Sequence, residues 1–206
     1  MERLRRPRVN REAREAEIVE AAIRCVLQSG FHASSMDAIA REAGISVGMI
    51  YRYFSSKEAI IEAIVVRDLE ELRSKIAESD VHSLEDVQPE GSGIARFVEN
   101  QHRRMKNGVR LEIYAEAARN PKIEAVVQRA AKVERELIVA LLNRYLPAGT
   151  AADDLAGRAD VMRIIADGLL INGLYADTAS IETLVPRLEA TMKRIFGQDS
   201  DDRTGC

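Results

Sequence analysis

The chain has 206 residues, of which 46% are hydrophobic and only 4% aromatic, with no Trp; that suits one large domain or two small ones, mainly helical. It contains no run of about 18 apolar residues, which argues against a membrane span, and its basic N-terminus has no apolar stretch behind it, which argues against a signal peptide. The net charge of −3 hides an asymmetry: residues 1–57 hold ten Lys/Arg against seven Asp/Glu (+3), and the remainder holds 20 against 26 (−6).

Five arginines (Arg3, Arg5, Arg6, Arg8 and Arg11) lie before or at the start of the first expected helix. A basic arm on an acidic body fits a polyanion partner at one end, or a solvated disordered tail. A helix is expected from Asn10 to Gln28, with Ile18, Ala21, Ala22, Cys25 and Val26 on one face and Gly30 as its stop. Ser34 or Ser35 caps a second helix, Met36–Ala43, which Gly44 ends. Ser46 caps a third, Val47–Tyr53, and Ser55 or Ser56 caps a long fourth from Lys57 to about Ser79. Residues 80–93 are acidic and contain Pro and Gly, so a loop is expected. Helical spacing resumes over Ile94–Lys106, Val109–Ala118 and Lys122–Tyr145. Asp153–Tyr175 is apolar on nearly every side, and Ser180 caps a last helix, Ile181–Phe196, in which Pro186 implies a kink or a late start. The fold expected is all-α, with about nine helices and no strand. Cys25 and Cys206 make no disulfide framework, which fits a cytoplasmic location.

The stretch "AGISVGMIYRYFSSKEAI", residues 43–60, departs from these plain apolar stripes. At about 100° per residue, placing Ile50 inside puts Phe54 near it and sends Gly48 and Arg52 to the opposite face, flanked by Met49 and Tyr51. Ile39 and Ala43 line the inner face of the preceding helix. Ala40 is small enough for a close crossing, and Gly44 can take a left-handed turn. Two short helices joined in this way form a helix-turn-helix, whose second helix fits a DNA major groove. GISVG lacks the GK[ST] ending of a phosphate loop. No acid–base pair accompanies Tyr and Arg.

The segment "SSMDAIAREAGISVGMIYRYFSSKEAII" resembles the DNA-binding signature of the TetR (tetracycline-repressor-like) family of bacterial transcription regulators. The shared residues are Ser34/Ser35, Ile39-Ala40, Ala43-Gly44-Ile45-Ser46, Gly48, Ile50-Tyr51, Tyr53-Phe54 and Lys57-Glu58. The resemblance covers residues 14–62. It implies a helix-turn-helix domain (14–62) and an effector-binding and dimerisation domain (63–196); the basic arm (1–13) before them and the polar tail (197–206) after them are expected to be disordered.

It also implies roles. Ser34 and Ser35 offer hydroxyls to backbone phosphate. Ser46, Val47, Gly48 and Met49 lead the recognition helix, and Tyr51 and Tyr53 donate to phosphates. Lys57 adds its charge to a helix N-terminus. Arg52 or Ser46 makes the polar base contact, while Val47 and Met49 touch thymine methyls. A phosphate contact or plain solvation remains open for Arg52, as does packing against the first helix for Tyr53.

The family's second domain implies a homodimer through the last two helices, palindromic operator DNA and a small-molecule effector. His102 and Met105 share an apolar face, and together with Glu112, Tyr114, Glu116 and Asn172 they are the effector-site candidates. His102 reads equally as a core histidine. Glu99 and His102 match only half of a di-iron helix-bundle motif, so no metal, cofactor or catalytic residue is expected. The expected function is a transcriptional regulator, a repressor released by its effector. The other readings are a helical carrier or enzyme with a vestigial helix-turn-helix, and a DNA-binding dimer without an effector.

Overall fold

A computed structural model of the chain describes residues 11–78, 104–172 and 178–195. Those residues form eight helices and no strand. None of the helices is long and apolar enough to cross a membrane. Residues 1–10 of the basic arm, the 80–93 loop, the Ile94–Arg103 stretch and the C-terminal tail lie outside the described residues, while residues 11–13, read as part of the arm, are helical. The chain divides into two compact units, Met1–Asp68 with Gly108–Gln128 and Leu69–Asn107 with Arg129–Cys206.

In the first unit, α1 runs Arg11–Ala33 and buries Ile18, Val19, Ala21, Ala22, Cys25 and Val26. Gly30, at φ 76° and ψ 164°, interrupts its helical geometry. One further turn follows that break, so Gly30 kinks the helix where the sequence implied a stop. Next, α2 (Met36–Glu42) is capped by Ser35, whose Oγ accepts the Ala38 N–H at 3.1 Å. The alternative cap, Ser34, is fully buried and donates to the Gly30 carbonyl at 2.8 Å.

At the other end of α2, the Gly44 N–H reaches the Arg41 carbonyl and the Ile45 N–H the Ala40 carbonyl, at 3.1 and 2.9 Å. This is a Schellman arrangement, and it satisfies carbonyls that the helix end leaves unpaired. It requires Gly44 at φ 66°. A Cβ added there would meet no atom within 4 Å, so the constraint is backbone conformation and not space. Gly44→Ala is expected to cost about 1–2 kcal/mol, the left-handed penalty of an L-residue. An unchanged urea midpoint would show that the turn tolerates a side chain.

The third helix, α3, is only Val47–Ile50. Beyond it the Arg52 and Tyr53 N–H groups bond three residues back, to Met49 and Ile50. The expected helix to Tyr53 thus tightens into a turn that seats Phe54 in the core. Ser56, not Ser55, caps α4 (Lys57–Glu78), accepting the Ala59 N–H at 3.3 Å.

Two later helices complete this core. Residues Arg104–Ala117 form one helix, α5, where two had been read across Lys106–Gly108. The helix continues through Gly108, which packs closely on α1: a Cβ there would come within 2.7 Å of Leu27 Cδ2, so that side chain would have to shift. α6 (Pro121–Tyr145) opens with Pro at its first position, and the Asn120 Oδ1 accepts the Lys122 N–H at 3.1 Å. Val109 and Ile113 from α5 and Ile123 from α6 join Ile18, Phe31, Ile39, Ile50, Ile60 and Ile64 in one cluster. Each large aliphatic side chain fully buried in it contributes roughly 1.5–3 kcal/mol. Arg24–Glu42 and Arg67–Glu20, both 2.6 Å, tie α1 to α2 and α4 at the surface, where such pairs add little.

The second unit places Ile138 and Leu142 of α6 and the following Leu146 against Leu155 and Ala159 of α7 (Ala152–Asn172). Arg135 forks onto Asp160 at 2.9 and 3.1 Å, joining the two helices. Arg158 pairs with Asp154 and also donates to the Arg194 and Ile195 carbonyls at the end of α8 (Thr178–Ile195). It thereby satisfies carbonyls that the helix end leaves open. Since α8 begins at Thr178, Ser180 lies inside the helix instead of capping it, and the helix continues through an exposed Pro186.

The two faces of α7 differ. Leu155, Ala159, Leu169 and Leu170 are buried, whereas Val161, Ile164 and Ile171 are 45%, 62% and 50% exposed. Gly157, Val161, Ile164, Gly168 and Ile171 follow one another at steps of four and three along an exposed apolar stripe.

Candidate nucleic-acid interface

Burial separates the two faces of α3 as the helical spacing requires. Ile50 is fully buried and Phe54 nearly so, while Val47, Gly48, Met49, Tyr51 and Arg52 are exposed, Tyr51 to 53%. Ser46 caps the helix: its Oγ accepts the Met49 N–H at 3.2 Å. That uses an acceptor lone pair and leaves the hydroxyl proton to donate. Ser35 also keeps its hydroxyl at the surface while capping α2. The outward face therefore combines a short apolar leading edge with an arginine, a tyrosine and two hydroxyls.

Gly48 faces open space, with no atom within 4 Å of an added Cβ. Gly48→Ala is therefore expected to leave the melting temperature unchanged or slightly raised, since Ala favours helix by up to about 1 kcal/mol. DNA affinity is expected to fall, because the new methyl projects only toward the groove. Loss of both stability and affinity would place Gly48 in the fold instead.

Three residues sit differently from their expected roles. Ser34 is interior, its hydroxyl held by the Gly30 carbonyl and 3.4 Å from Ser29 Oγ, so no phosphate reaches it in this arrangement. Tyr53 is half-buried against the core, with the Arg11 guanidinium 5.9 Å from its ring centroid; the packing role is the one its ring fulfils. Lys57 turns inward. Its Nζ donates to the Phe31 carbonyl at 2.8 Å and stands 4.1 Å from the centroid of the Phe31 ring. Burial lowers the Lys57 pKa, opposed by the charges of Glu116 and Glu58.

The described effector candidates are divided between the two units. His102 lies outside the described residues, and Met105 is placed only as a position on α5. Glu112, Tyr114 and Glu116 belong to the first unit and Asn172 to the second. Glu112 accepts the Phe31 N–H at 2.9 Å. Glu116, 7% exposed, holds Arg119 at 2.8 Å and Asn120 at 3.1 Å. The Tyr114 hydroxyl accepts from Arg110 at 3.2 Å. Cys25 is a buried free thiol whose pKa is raised, first by burial and then by Glu42, as for an inert core cysteine.

Sequence reasoning missed the partnership of Glu112 and Lys57 with Phe31. Residues 31 and 112 are far apart in the chain, and no local pattern marks the pair.

Two short helices, crossed through a left-handed glycine over a buried core, with the second presenting its open face, define a helix-turn-helix DNA-binding protein. Residues 18–64 match the family model described as bacterial regulatory proteins, tetR family. Residues 94–197 match the one described as BetI-type transcriptional repressor, C-terminal. The chain belongs to the TetR family of bacterial transcriptional regulators. It is 29% identical over 163 residues to the HTH-type transcriptional regulator UidR of Escherichia coli K12, across 78% of this chain and 79% of that one. Among solved structures, Salmonella enterica GusR superposes with a TM-score of 0.69 at 24% identity, covering 95% of this chain and all of that one. A transcriptional regulator from Saccharomonospora viridis in complex with choline superposes with a TM-score of 0.62 at 23% identity, covering 92% and 98%.

Proposed function

We propose that this DNA-binding regulator is a cytoplasmic homodimeric repressor that holds a palindromic operator and leaves it when a small molecule binds residues 63–196. The observation that carries the DNA half is the outward face of α3, where Ser46, Val47, Gly48, Met49, Tyr51 and Arg52 are all exposed above a buried Ile50. Arg52 makes the polar base contact, Val47 and Met49 touch thymine methyls, and Ser35 and Tyr51 hold phosphates. Arg11, the first residue of α1, lies over the Tyr53 ring and adds a positive charge near this face.

The exposed stripe of α7 supports the dimer, with α8 beside it. One four-residue helix reads too few bases alone, and a two-fold pair reads a palindrome. The choline-bound relative in fold supports a small organic effector. The effector acts only through its different affinities for the DNA-competent and released states.

The test is binding of the purified protein to the intergenic DNA upstream of its own gene, at two salt concentrations, with random DNA as competitor. Competitor-resistant binding of a dimer to a palindrome supports the reading. Equal affinity for random DNA, lost at moderate salt, leaves only backbone electrostatics and defeats it.

A further inference from the structure

The peptide groups of Phe31 are gripped from two sides. Gly30 breaks the regular geometry of α1, and the N–H that follows the break is donated to Glu112 Oε2 on α5 at 2.9 Å. The Phe31 carbonyl accepts Lys57 Nζ, from the first residue of α4, at 2.8 Å, and also the Ser34 N–H at 3.3 Å. The ring between these groups is 2% exposed and lies under the same ammonium. Glu112 also closes over Gly30, where an added Cβ would stand 3.3 Å from its Oε2. Glu116, one turn further along α5, favours the charged form of Lys57. A carboxylate and an ammonium on two different helices thus hold one residue at the corner from which α2 and α3 depart.

From this geometry we infer that Glu112 and Lys57 are positioning residues for DNA binding: their two-sided clasp on Phe31 fixes the α1–α2 corner and, through it, the orientation of the α3 face. The inference rests on the regulator reading for its consequence at DNA, but not for the clasp itself. Charge-assisted hydrogen bonds to half-buried backbone are among the stronger ones, and breaking one costs most where its partner is left uncompensated. The Phe31 N–H follows the break at Gly30 and is therefore out of the regular helical pattern, whereas the Phe31 carbonyl keeps the Ser34 N–H at 3.3 Å when Lys57 is removed. Lys57 accordingly acts on the fold before it acts on any phosphate.

The experiment compares amide hydrogen exchange in the free full-length protein for wild type, Glu112→Ala, Glu112→Gln and Lys57→Met. Exchange is read over residues 27–34 and 43–54. Glutamine keeps a carbonyl acceptor for the Phe31 N–H, and methionine keeps the apolar stem of lysine without its donor. Glu112→Ala is expected to speed exchange at Phe31 by roughly tenfold or more, with faster exchange over 43–54 and no change in α7. Glu112→Gln should stay within about threefold of wild type, as expected where a neutral hydrogen bond replaces a charged one. Lys57→Met should speed exchange over the same two segments.

Exchange at Phe31 that is unchanged in both Glu112→Ala and Lys57→Met overturns the clasp. So does an equal rise throughout the chain, which would mean global loss of stability. Should Glu112→Ala fail to fold, Glu112→Gln and Lys57→Met decide alone: unaltered exchange in Lys57→Met overturns the clasp. The same variants are then titrated onto the duplex that wild type selects from random-sequence DNA. A fall of about tenfold for Glu112→Ala, largely restored in Glu112→Gln, supports the positioning role. Full affinity alongside loosened 43–54 exchange overturns it. If wild type selects no duplex, the regulator reading fails, and the exchange data still decide the clasp.

Discussion

Replacing Ile164 by aspartate is expected to yield a folded monomer that no longer holds operator DNA at concentrations where the wild type does. Ile164 is 62% exposed in the single chain, between Val161 and Ile171 and flanked by Gly157 and Gly168. Alternating steps of four and three give a repeat near 3.5 residues, the period of a seam that meets another helix. Two open glycines let a second backbone approach closely. A carboxylate in the middle of such a seam is desolvated without a partner. The cost is about 3–5 kcal/mol, on the order of a thousandfold in the dimer's dissociation constant. Sedimentation and DNA titration read the two consequences together. Val66→Asp is the control, since Val66 is also an exposed aliphatic residue, at 50%, but lies on α4. A dimer that survives Ile164→Asp would move the interface off this stripe.

Arg52→Ala carries the second large effect, at the level of sequence choice and not of folding. Arg52 is exposed in the turn that follows α3, next to the exposed Val47, Gly48 and Met49 of that helix. Those three neighbours offer almost no side-chain hydrogen bonds, so the proposed base reading rests on Arg52 with help from Ser46. A bidentate contact to guanine is worth about 1–3 kcal/mol. The variant should lose about that much at one base pair of each half-site and accept other bases there, with its melting temperature unchanged. Equal losses on operator and random DNA would instead make Arg52 a phosphate contact.

How far the sequence reached is visible residue by residue. Ile50 inward and Gly48 with Arg52 outward followed from helical angle alone, and the buried and exposed sets agree with it. The left-handed Gly44 and the Ser46 cap were legible because turn and cap chemistry is local, confined to four or five residues. Ser34 and Ser35 were indistinguishable in sequence. The kink at Gly30 decides between them, sending one hydroxyl to the Gly30 carbonyl and the other to the Ala38 N–H. The continuity of α5 through Gly108 was hidden for a similar reason. A glycine reads as a break until Leu27 is seen pressed against it. Pro186 was read as a kink or a late start, yet α8 continues through it, with the ring facing out.

The candidates on α5 mark the sharper limit. Glu112 and Glu116 are effector candidates as polar positions on a middle helix. Tertiary packing sets this part of α5 in the first unit, where Glu112 completes a backbone hydrogen bond 81 residues away. Lys57 carried the mark of a phosphate contact at a helix start, and it is turned inward by the same corner.

By itself the sequence determined the all-helical fold and the outward face of the third helix, because periodicity, caps and turns are set by near neighbours; the family followed from the resemblance of residues 34–61 to its signature. Tertiary structure alone decided which hydroxyl is buried, where Lys57 points, which helices close the DNA-binding core and which stripe of α7 stays bare. Those depend on contacts between residues distant in the chain, and no local pattern encodes such pairings.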